Sequence, residues 1–334
     1  MKIAIISITE NGKELSNIIK DYLIKNPRFI KIDIYFKNVK NTINNIFFKY
    51  DAIIGIMATG ILIRSIANQI TSKDKDPAIL SIDEKGQYVI SLLSGHLGGA
   101  NELTNIISEI INAEPIITTA TDINNKLSID SLANKYFWKI ENVHDIVIFN
   151  KAILNNQSID LLVNIKQEKY LKEFLHTKKE INLIKNNSNN PTIIAKYKSK
   201  ILKIIPEKMV FGIGSKKNIS MKNVLIAIKT VCTQLNIDIN RIDSLATVDV
   251  KQNEEGIILA SEKLKLPLFI IKTEDIKNFK SEDCTKSKFV EKTIGAYGVC
   301  EPCALMKAGL NSKLIYKKTA FNGVTIAVAI SNEK

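Results

Sequence analysis

Short isoleucine-rich runs recur through the first third of this chain, and helix-length stretches separate them. Residues 2–7, 29–36 and 52–56 read as strands, while 12–26 and 43–49 carry apolar residues at helical spacing. The alternation continues with a helix over 61–70, strands over 78–83 and 88–93, a helix over 98–111 and a strand over 116–119. Strands separated by helices specify βαβ units, hence a mainly parallel sheet covered on both faces. Residues 83–86 are too few for a crossover, so their two flanking strands form a hairpin inside that sheet.

The fold class is therefore α/β, in three parts. Residues 1–135 form an N-terminal, mainly parallel α/β domain. Residues 136–205 change character: lysine and asparagine rise, a polar break runs Asn186-Asn187-Ser188-Asn189-Asn190-Pro191, and only weak strands show, over 161–165 and 192–196. They read as a small, variable middle domain. Residues 206–334 form a C-terminal α/β domain, with strands over 210–215 and 268–271, one within 241–248 that ends at Thr247, helices over 221–234 and 254–263, and a loop and helix over 298–307. A closing hairpin runs through Phe321-Asn322-Gly323.

Composition removes several classes of function. No run of about 18 apolar residues exists to span a membrane. No secretory signal precedes the first strand, so cytoplasmic is the expected location. The net charge is +13. Two explanations stand: lysines spread over solvated faces in a chain biased towards Lys, Ile and Asn, or a polyanionic partner. No zinc-finger, helix-turn-helix or RNA-recognition signature supports nucleic acid. Cys300-Glu301-Pro302-Cys303 is a C-x-x-C, but Cys284 and Cys232 lie too far away in sequence to complete a tetrahedral zinc site. Buried thiols near a helix start are the expectation, with no protein metal.

Polar groups concentrate at strand ends, where open parallel sheets bind ligands. The sharpest group is Ser94-Gly95-His96-Leu97-Gly98-Gly99-Ala100-Asn101-Glu102, which contains one of only three histidines. It matches neither a dinucleotide fingerprint nor a nucleophile elbow. Its glycines allow close approach to a ligand, and His96 can act as acid or base near neutral pH. Asn101 and Glu102, in the first helical turn, are placed to orient it. Thr118-Thr119-Ala120-Thr121-Asp122 adds hydroxyls and a carboxylate, with Thr119 and Thr121 on one strand face. A third group, Thr59, Gly60 and Arg64, combines a hydroxyl, an open backbone and a guanidinium at a helix start; a tight turn with a surface arginine explains it equally well. In the C-terminal domain, Gly212, Gly214, Ser215, Lys216 and Lys217, then Thr247, Asp249 and Lys251, then Gly298, read as a second ligand-facing edge.

Taken together, these segments resemble the cobalt-precorrin-5A hydrolase family of anaerobic cobalamin biosynthesis. The resemblance is carried by MATGILIRSIA (57–67), KDPAILSIDEKGQYVISLLSGHLGGANEL (75–103) and PIITTATDIN (115–124). Further on it is carried by GIGSKKNIS (212–220), SLATVDVKQNEEGI (244–257), GVCEPCAL (298–305) and KTAFNGVTIAVA (318–329). Two departures stand out. Ser215, Lys216 and Lys217 occupy positions where the family often has Cys-Arg-Arg, which argues against a catalytic cysteine there. Cys303 falls where many relatives have a small residue.

The resemblance implies a hydrolase that opens the ring-A lactone of a cobalt tetrapyrrole and releases the methylated meso carbon as acetaldehyde. The cobalt would arrive with the substrate, so no separate cofactor is implied. His96, with Glu102 or Asp122, would handle protons, and the Gly98-Gly99 amides would stabilise the oxyanion of the opening lactone. Arg64, Lys216, Lys217 and Lys251 would clamp acetate and propionate groups. The partner implied is the cobalt-tetrapyrrole substrate. Neighbouring methyltransferases of the pathway and a second copy of the chain are compatible further partners, whereas nucleic acid and membrane are not expected. The alternative from another class is a carrier that binds cobalt-corrinoid intermediates without chemistry.

Overall fold

The computed structural model describes residues 1–187, 190–285, 295 and 298–332. Its chain divides into two compact units. One comprises Met1–Leu162, Leu175–Ile184 and Thr192–Ile205; the other comprises Val163–Phe174, Lys185–Pro191 and Pro206–Lys334.

The first unit begins with β1 (Lys2–Ser7), α1 (Glu10–Leu23), β2 (Lys31–Phe36), α2 (Val39–Ile46), β3 (Ala52–Ile56), α3 (Thr59–Ile66), β4 (Ala78–Ile82), β5 (Tyr88–Leu93), α4 (Ala100–Ile111) and β6 (Glu114–Ile116). These strands make one sheet in the order β2-β1-β3-β4-β5-β6. The central strands are apolar throughout because both faces are covered. Ile3, Ile5, Ile54 and Leu80 pack with Ile19 and Leu23 of α1 and Leu103 and Ile107 of α4. On the opposite face, Ala4, Ile6, Ile53 and Ile79 pack with Ile43 of α2 and Leu62 and Ile66 of α3. Each fully buried isoleucine contributes about 1.5–3 kcal/mol relative to exposure.

Strand direction determines where ligands can bind. β1, β2, β3 and β4 run parallel, β5 runs antiparallel to β4, and β6 runs parallel to β5. The turn that reverses the chain is held by Asp83, whose carboxylate accepts from the amides of Lys85, Gln87 and Tyr88. The carboxyl ends of β1–β4 therefore lie along one edge of the sheet, and those of β5 and β6 along the other.

After β6 come α5 (Ala120–Ile123), α6 (Ile129–Tyr136), β7 (Trp138–Ile140), α7 (Ile146–Leu154), β8 (Ile159–Val163), α8 (Ile165–Leu175), β9 (Ile181–Lys185), β10 (Ile193–Tyr197) and β11 (Lys200–Pro206). A second sheet forms in the order β7-β11-β10-β8-β9, with β10 antiparallel to both β11 and β8. It is more regular than its lysine-rich sequence suggests. In Lys200–Pro206, Leu202 and Ile204 turn inward, while Ile201 and Lys203 on the other face stay in solvent.

In the second unit, β12 (Met209–Ser215), α9 (Met221–Gln234), β13 (Ser244–Val248), α10 (Glu255–Leu264), β14 (Leu268–Ile271), α11 (Thr273–Asn278), α12 (Cys300–Ala308), β15 (Lys313–Phe321) and β16 (Val324–Ile330) follow in order. Their sheet runs β14-β13-β12-β16-β15. β12, β13 and β14 are parallel, and the β15–β16 hairpin adds antiparallel to β12. No helix among the described residues is long and apolar enough to cross a membrane.

Candidate active site

Because β5 and β6 run the same way, the loop after β5 and the segment after β6 meet at one edge of the first sheet. Ser94 follows β5 in a left-handed conformation, φ 56°, and its Oγ donates to the Asp76 carbonyl, 3.1 Å away, just before β4. A Cβ on Gly98 would lie 2.6 Å from the Ser94 Cβ, so only glycine lets the loop fold back so tightly. The Gly99, Ala100 and Asn101 amides donate to the carbonyls of His96, Ser94 and Gly95. The Gly99 amide is thus committed inside the loop, which removes it from the oxyanion role expected for it.

His96 lies between two carboxylates. Its Nε2 is 2.6 Å from Asp122 Oδ2, and its Nδ1 is 3.2 Å from Asp130 Oδ2. The Ser128 hydroxyl also lies 3.2 Å from Nδ1, and Thr121 Oγ1 lies 3.4 Å from Nε2. Asn101 completes the group: its Nδ2 donates to Thr119 Oγ1 at 2.9 Å and to Asp122 Oδ2 at 3.0 Å, while its Oδ1 accepts from Ser91 at 2.6 Å. Gly95 makes room for it, since a Cβ there would sit 2.8 Å from Asn101 Oδ1.

Exposure differs sharply across this row. The side chains of His96 and Asp130 are 8% and 9% exposed, and that of Asp122 is 39% exposed. Burial by itself lowers the affinity of His96 for a proton, but Asp130 and Asp122 outweigh it and raise its pKa above the usual imidazole value. Burial alone would raise the Asp130 carboxyl; bonds from His96 and Asn150 reverse this and bring it down to about 2. The favoured state is an imidazolium between two carboxylates, with both ring nitrogens donating. Asp122 is the member of the row that meets solvent.

The structure thus brings Ser94, Gly95, His96, Gly98, Gly99, Asn101, Thr119, Thr121 and Asp122 to one place. It corrects how two of them get there. β6 ends at Ile116, so Thr119 caps α5 and Thr121 lies within it, and the two threonines do not share a strand face. Glu102 is elsewhere: its carboxylate is 2.5 Å from Arg28 Nη2, on the flank of α4 away from the ring. Asp130 holds the position beside His96 expected for Glu102. Sequence reading missed Asp130, Ser128 and Asn150; an acid in the first turn after a serine cap is an ordinary helix start, and only the tertiary fold turns it towards His96.

Thr59, Gly60 and Arg64 are also displaced from expectation. They follow β3, so the reversal at 83–86 puts them on the opposite edge of the sheet from His96. There Thr59 bonds Ser81 at 3.0 Å, and the exposed Arg64 side chain donates to the Gly60 carbonyl at 2.9 Å.

In the second unit, most of the expected loop residues are committed to the fold. A Cβ on Gly212 would lie 1.8 Å from the Cys300 carbonyl oxygen, so this glycine seats α12 on the sheet. A Cβ on Gly214 would lie 2.6 Å from the hydroxyl oxygen of Thr325 on the neighbouring strand β16. Thr247 is fully buried and donates to the Ile213 carbonyl. Asp249 caps α11 through the Thr273 amide and hydroxyl. Gly298 is buried, and Ser215 is half-buried with its hydroxyl inside the unit. Lys216 and Lys217 are exposed. Lys217, Asp249 and Lys251 line one cavity of 740 Å³ at the carboxyl ends of β12 and β13, where Lys251 pairs with Glu254 at 3.1 Å. Burial pushes the Cys300 thiol up to about 12 and also raises that of Cys303, so neither supplies a thiolate. Among the described residues, no group of three or more His, Cys, Asp or Glu side chains is arranged to hold a metal.

An α/β protein with a carboxylate–imidazole–carboxylate row at a sheet edge defines a class suited to proton-transfer chemistry. Known proteins narrow that class. Residues 41–122 match the family model described as Cobalamin synthesis G N-terminal, and residues 209–329 match that described as Cobalamin synthesis G C-terminus. The probable cobalt-precorrin-5A hydrolase of Methanocaldococcus jannaschii is 35% identical over 99% of this chain and its own full length. The cobalt-precorrin-5A hydrolase of Salmonella typhimurium is 28% identical over 87% of this chain and 85% of its own. A crystal structure of a cobalamin biosynthesis protein G homolog from Sulfolobus solfataricus aligns over 99% of this chain and 97% of its own, with 31% identity and a TM-score of 0.61. The chain belongs to the cobalamin synthesis G family.

Proposed function

We propose that this chain is the hydrolase of cobalt-precorrin-5A in cobalamin biosynthesis, acting in the cytoplasm. On this reading it opens the lactone of that cobalt tetrapyrrole and releases acetaldehyde, leaving cobalt-precorrin-5B. The observation that carries the reading is the row Asp122–His96–Asp130, buried at one end and open to solvent at the other. Its support is family membership together with relatives named for this reaction.

Asp122 is the group that reaches substrate. It takes a proton from water as the water oxygen bonds to the lactone carbonyl carbon. The acyl C–O bond then breaks, and the departing alkoxide recovers a proton from Asp122, giving a free acid and a carbinol. In the second stage Asp122 accepts the carbinol proton while the carbon–carbon bond to the macrocycle breaks. Acetaldehyde leaves, and the electron pair stays on the macrocycle carbon, which takes the proton back. The His96 imidazolium holds Asp122 through Nε2–H and keeps a positive charge beside the carboxylate throughout. Cobalt enters as part of the substrate.

Anaerobic incubation with cobalt-precorrin-5A, with acetaldehyde trapped by a hydrazine reagent, tests it. The expected result is one acetaldehyde per substrate consumed. Tight binding of the pigment with no acetaldehyde would replace the hydrolase with a carrier.

A further inference from the structure

The residues on the Asp122 and Asp130 side of the row come from a short stretch, 120–130, that contains one turn of helix, the start of another and no strand. Such a stretch does not hold two carboxylates in register by itself. Its supports come from the middle residues, 136–205. Lys126, at its centre, bonds Asn156 and pairs with Glu180. Near its end, the Ile129 amide donates to Asn150 Oδ1 at 3.0 Å, and Asn150 Nδ2 donates to Asp130 Oδ1 at 2.9 Å. Asn150 lies on α7, so a helix of the middle region grips the backbone and the carboxylate of the same helix start.

Asp130 spends its other oxygen on His96 Nδ1. Being 9% exposed, it has no surface to offer a substrate and acts only through the ring. An imidazole held on one nitrogen by an immobile carboxylate keeps its orientation and its charge. We propose that Asn150 and Asp130 are positioning residues: α7 fixes Asp130, and Asp130 fixes the His96 ring so that Nε2 faces Asp122. The middle region is then a working part of the site. The effect on turnover rests on the proposed function; the effect on the ring does not.

Asp122 and Asp130 face the two nitrogens of the ring. Glu102 and Arg28 pair with each other on the flank of α4, close enough to Lys135 to act on it. Asp76, before β4, binds the Thr71 amide and hydroxyl.

The test is a proton titration of the imidazole rings by NMR, simple because the chain has only His96, His144 and His176. His96→Gln assigns the signal. Asp130→Asn, which keeps the shape and removes the charge, is expected to lower the His96 midpoint by about one pH unit or more. Asp130→Glu is expected to restore part of it. Asn150→Ala lowers it less, and both Asp130→Asn and Asn150→Ala reduce kcat about 10–100-fold with little change in KM. An unchanged midpoint in Asp130→Asn overturns the proposal whatever happens to turnover. If Asp130→Asn does not fold, an unchanged midpoint and kcat in Asn150→Ala overturn it instead. No acetaldehyde from the unsubstituted chain defeats the proposed function while the titration still decides the role of Asp130.

Discussion

Gly95, in the loop after β5, and Gly212, within β12, both leave too little room for a Cβ. What the Cβ would strike separates the two units. Beside Gly95 it is the amide group of Asn101, which bonds Asp122 and Thr119. Beside Gly212 it is the backbone carbonyl of Cys300. One glycine clears space for a polar side chain in a solvent-facing row; the other lets a helix lie close against a strand. A glycine-rich segment in the sequence therefore does not identify a site until the occupant of the cleared space is known.

The largest effect that would sharpen this contrast is at the row itself. Asp122→Asn and His96→Ala are each expected to cut acetaldehyde release about 10²–10⁴-fold, with the fold retained. Near-normal turnover in Asp122→Asn would remove its proton-transfer role, and near-normal turnover in His96→Ala would remove the need for a cation beside that carboxylate.

Next come the glycines. Gly95→Ala displaces Asn101, so turnover should fall about 10–100-fold with a small change in Tm. Gly212→Ala should instead destabilise its unit by about 1–3 kcal/mol or more, because a backbone carbonyl cannot move aside. The two compared by thermal unfolding and by activity per folded molecule make a direct check; equal behaviour would break the contrast.

Stability against pH gives a subtler reading. The His96 pKa is raised by folding, so its contribution is complete below about 6.5 and is lost as pH rises through the higher folded value. Asp130 is lowered to about 2, so its contribution is present above about 3.8 and is lost as pH falls towards 2. Urea unfolding of the unsubstituted chain and His96→Gln should accordingly differ most between about pH 4 and 6.5 and converge at alkaline pH. A difference that grows with pH would contradict the imidazolium assignment.

The smallest effect is expected at Glu102. Its ion pair with Arg28 lies at the surface and is worth about 0–1 kcal/mol. Glu102→Gln should leave turnover within about twofold, and a loss on the scale of Asp122→Asn would put Glu102 back beside the chemistry.

Much of this molecule was legible in its sequence, for reasons that also explain the failures. Periodicity revealed the strand–helix alternation, and the two tight turns revealed both hairpins, because these patterns are set by residues close along the chain. His96, Asn101 and Asp122 stood out because they fall in two polar segments that each follow an apolar run. Arg64 was placed with them because the reversal at 83–86 was read as a local turn, without carrying its effect to the loop after β3. Glu102 was singled out because it lies in the first helical turn after the His96 loop, and Asp130 was missed. Yet one helical turn aims Glu102 at Arg28, whereas Asp130 reaches the ring across a gap of 34 residues that only tertiary packing closes.

The reversal between β4 and β5 bears as well on how the chain assembles. Pairing β1 with β3 requires a strand and two helices to be threaded in between, and such closure is slow and entropically demanding. Pairing β4 with β5 needs only the turn that Asp83 ties. The edge that carries His96 is therefore built on the most local contact in its sheet, and the strand that presents the imidazole can find its register before the long crossovers close.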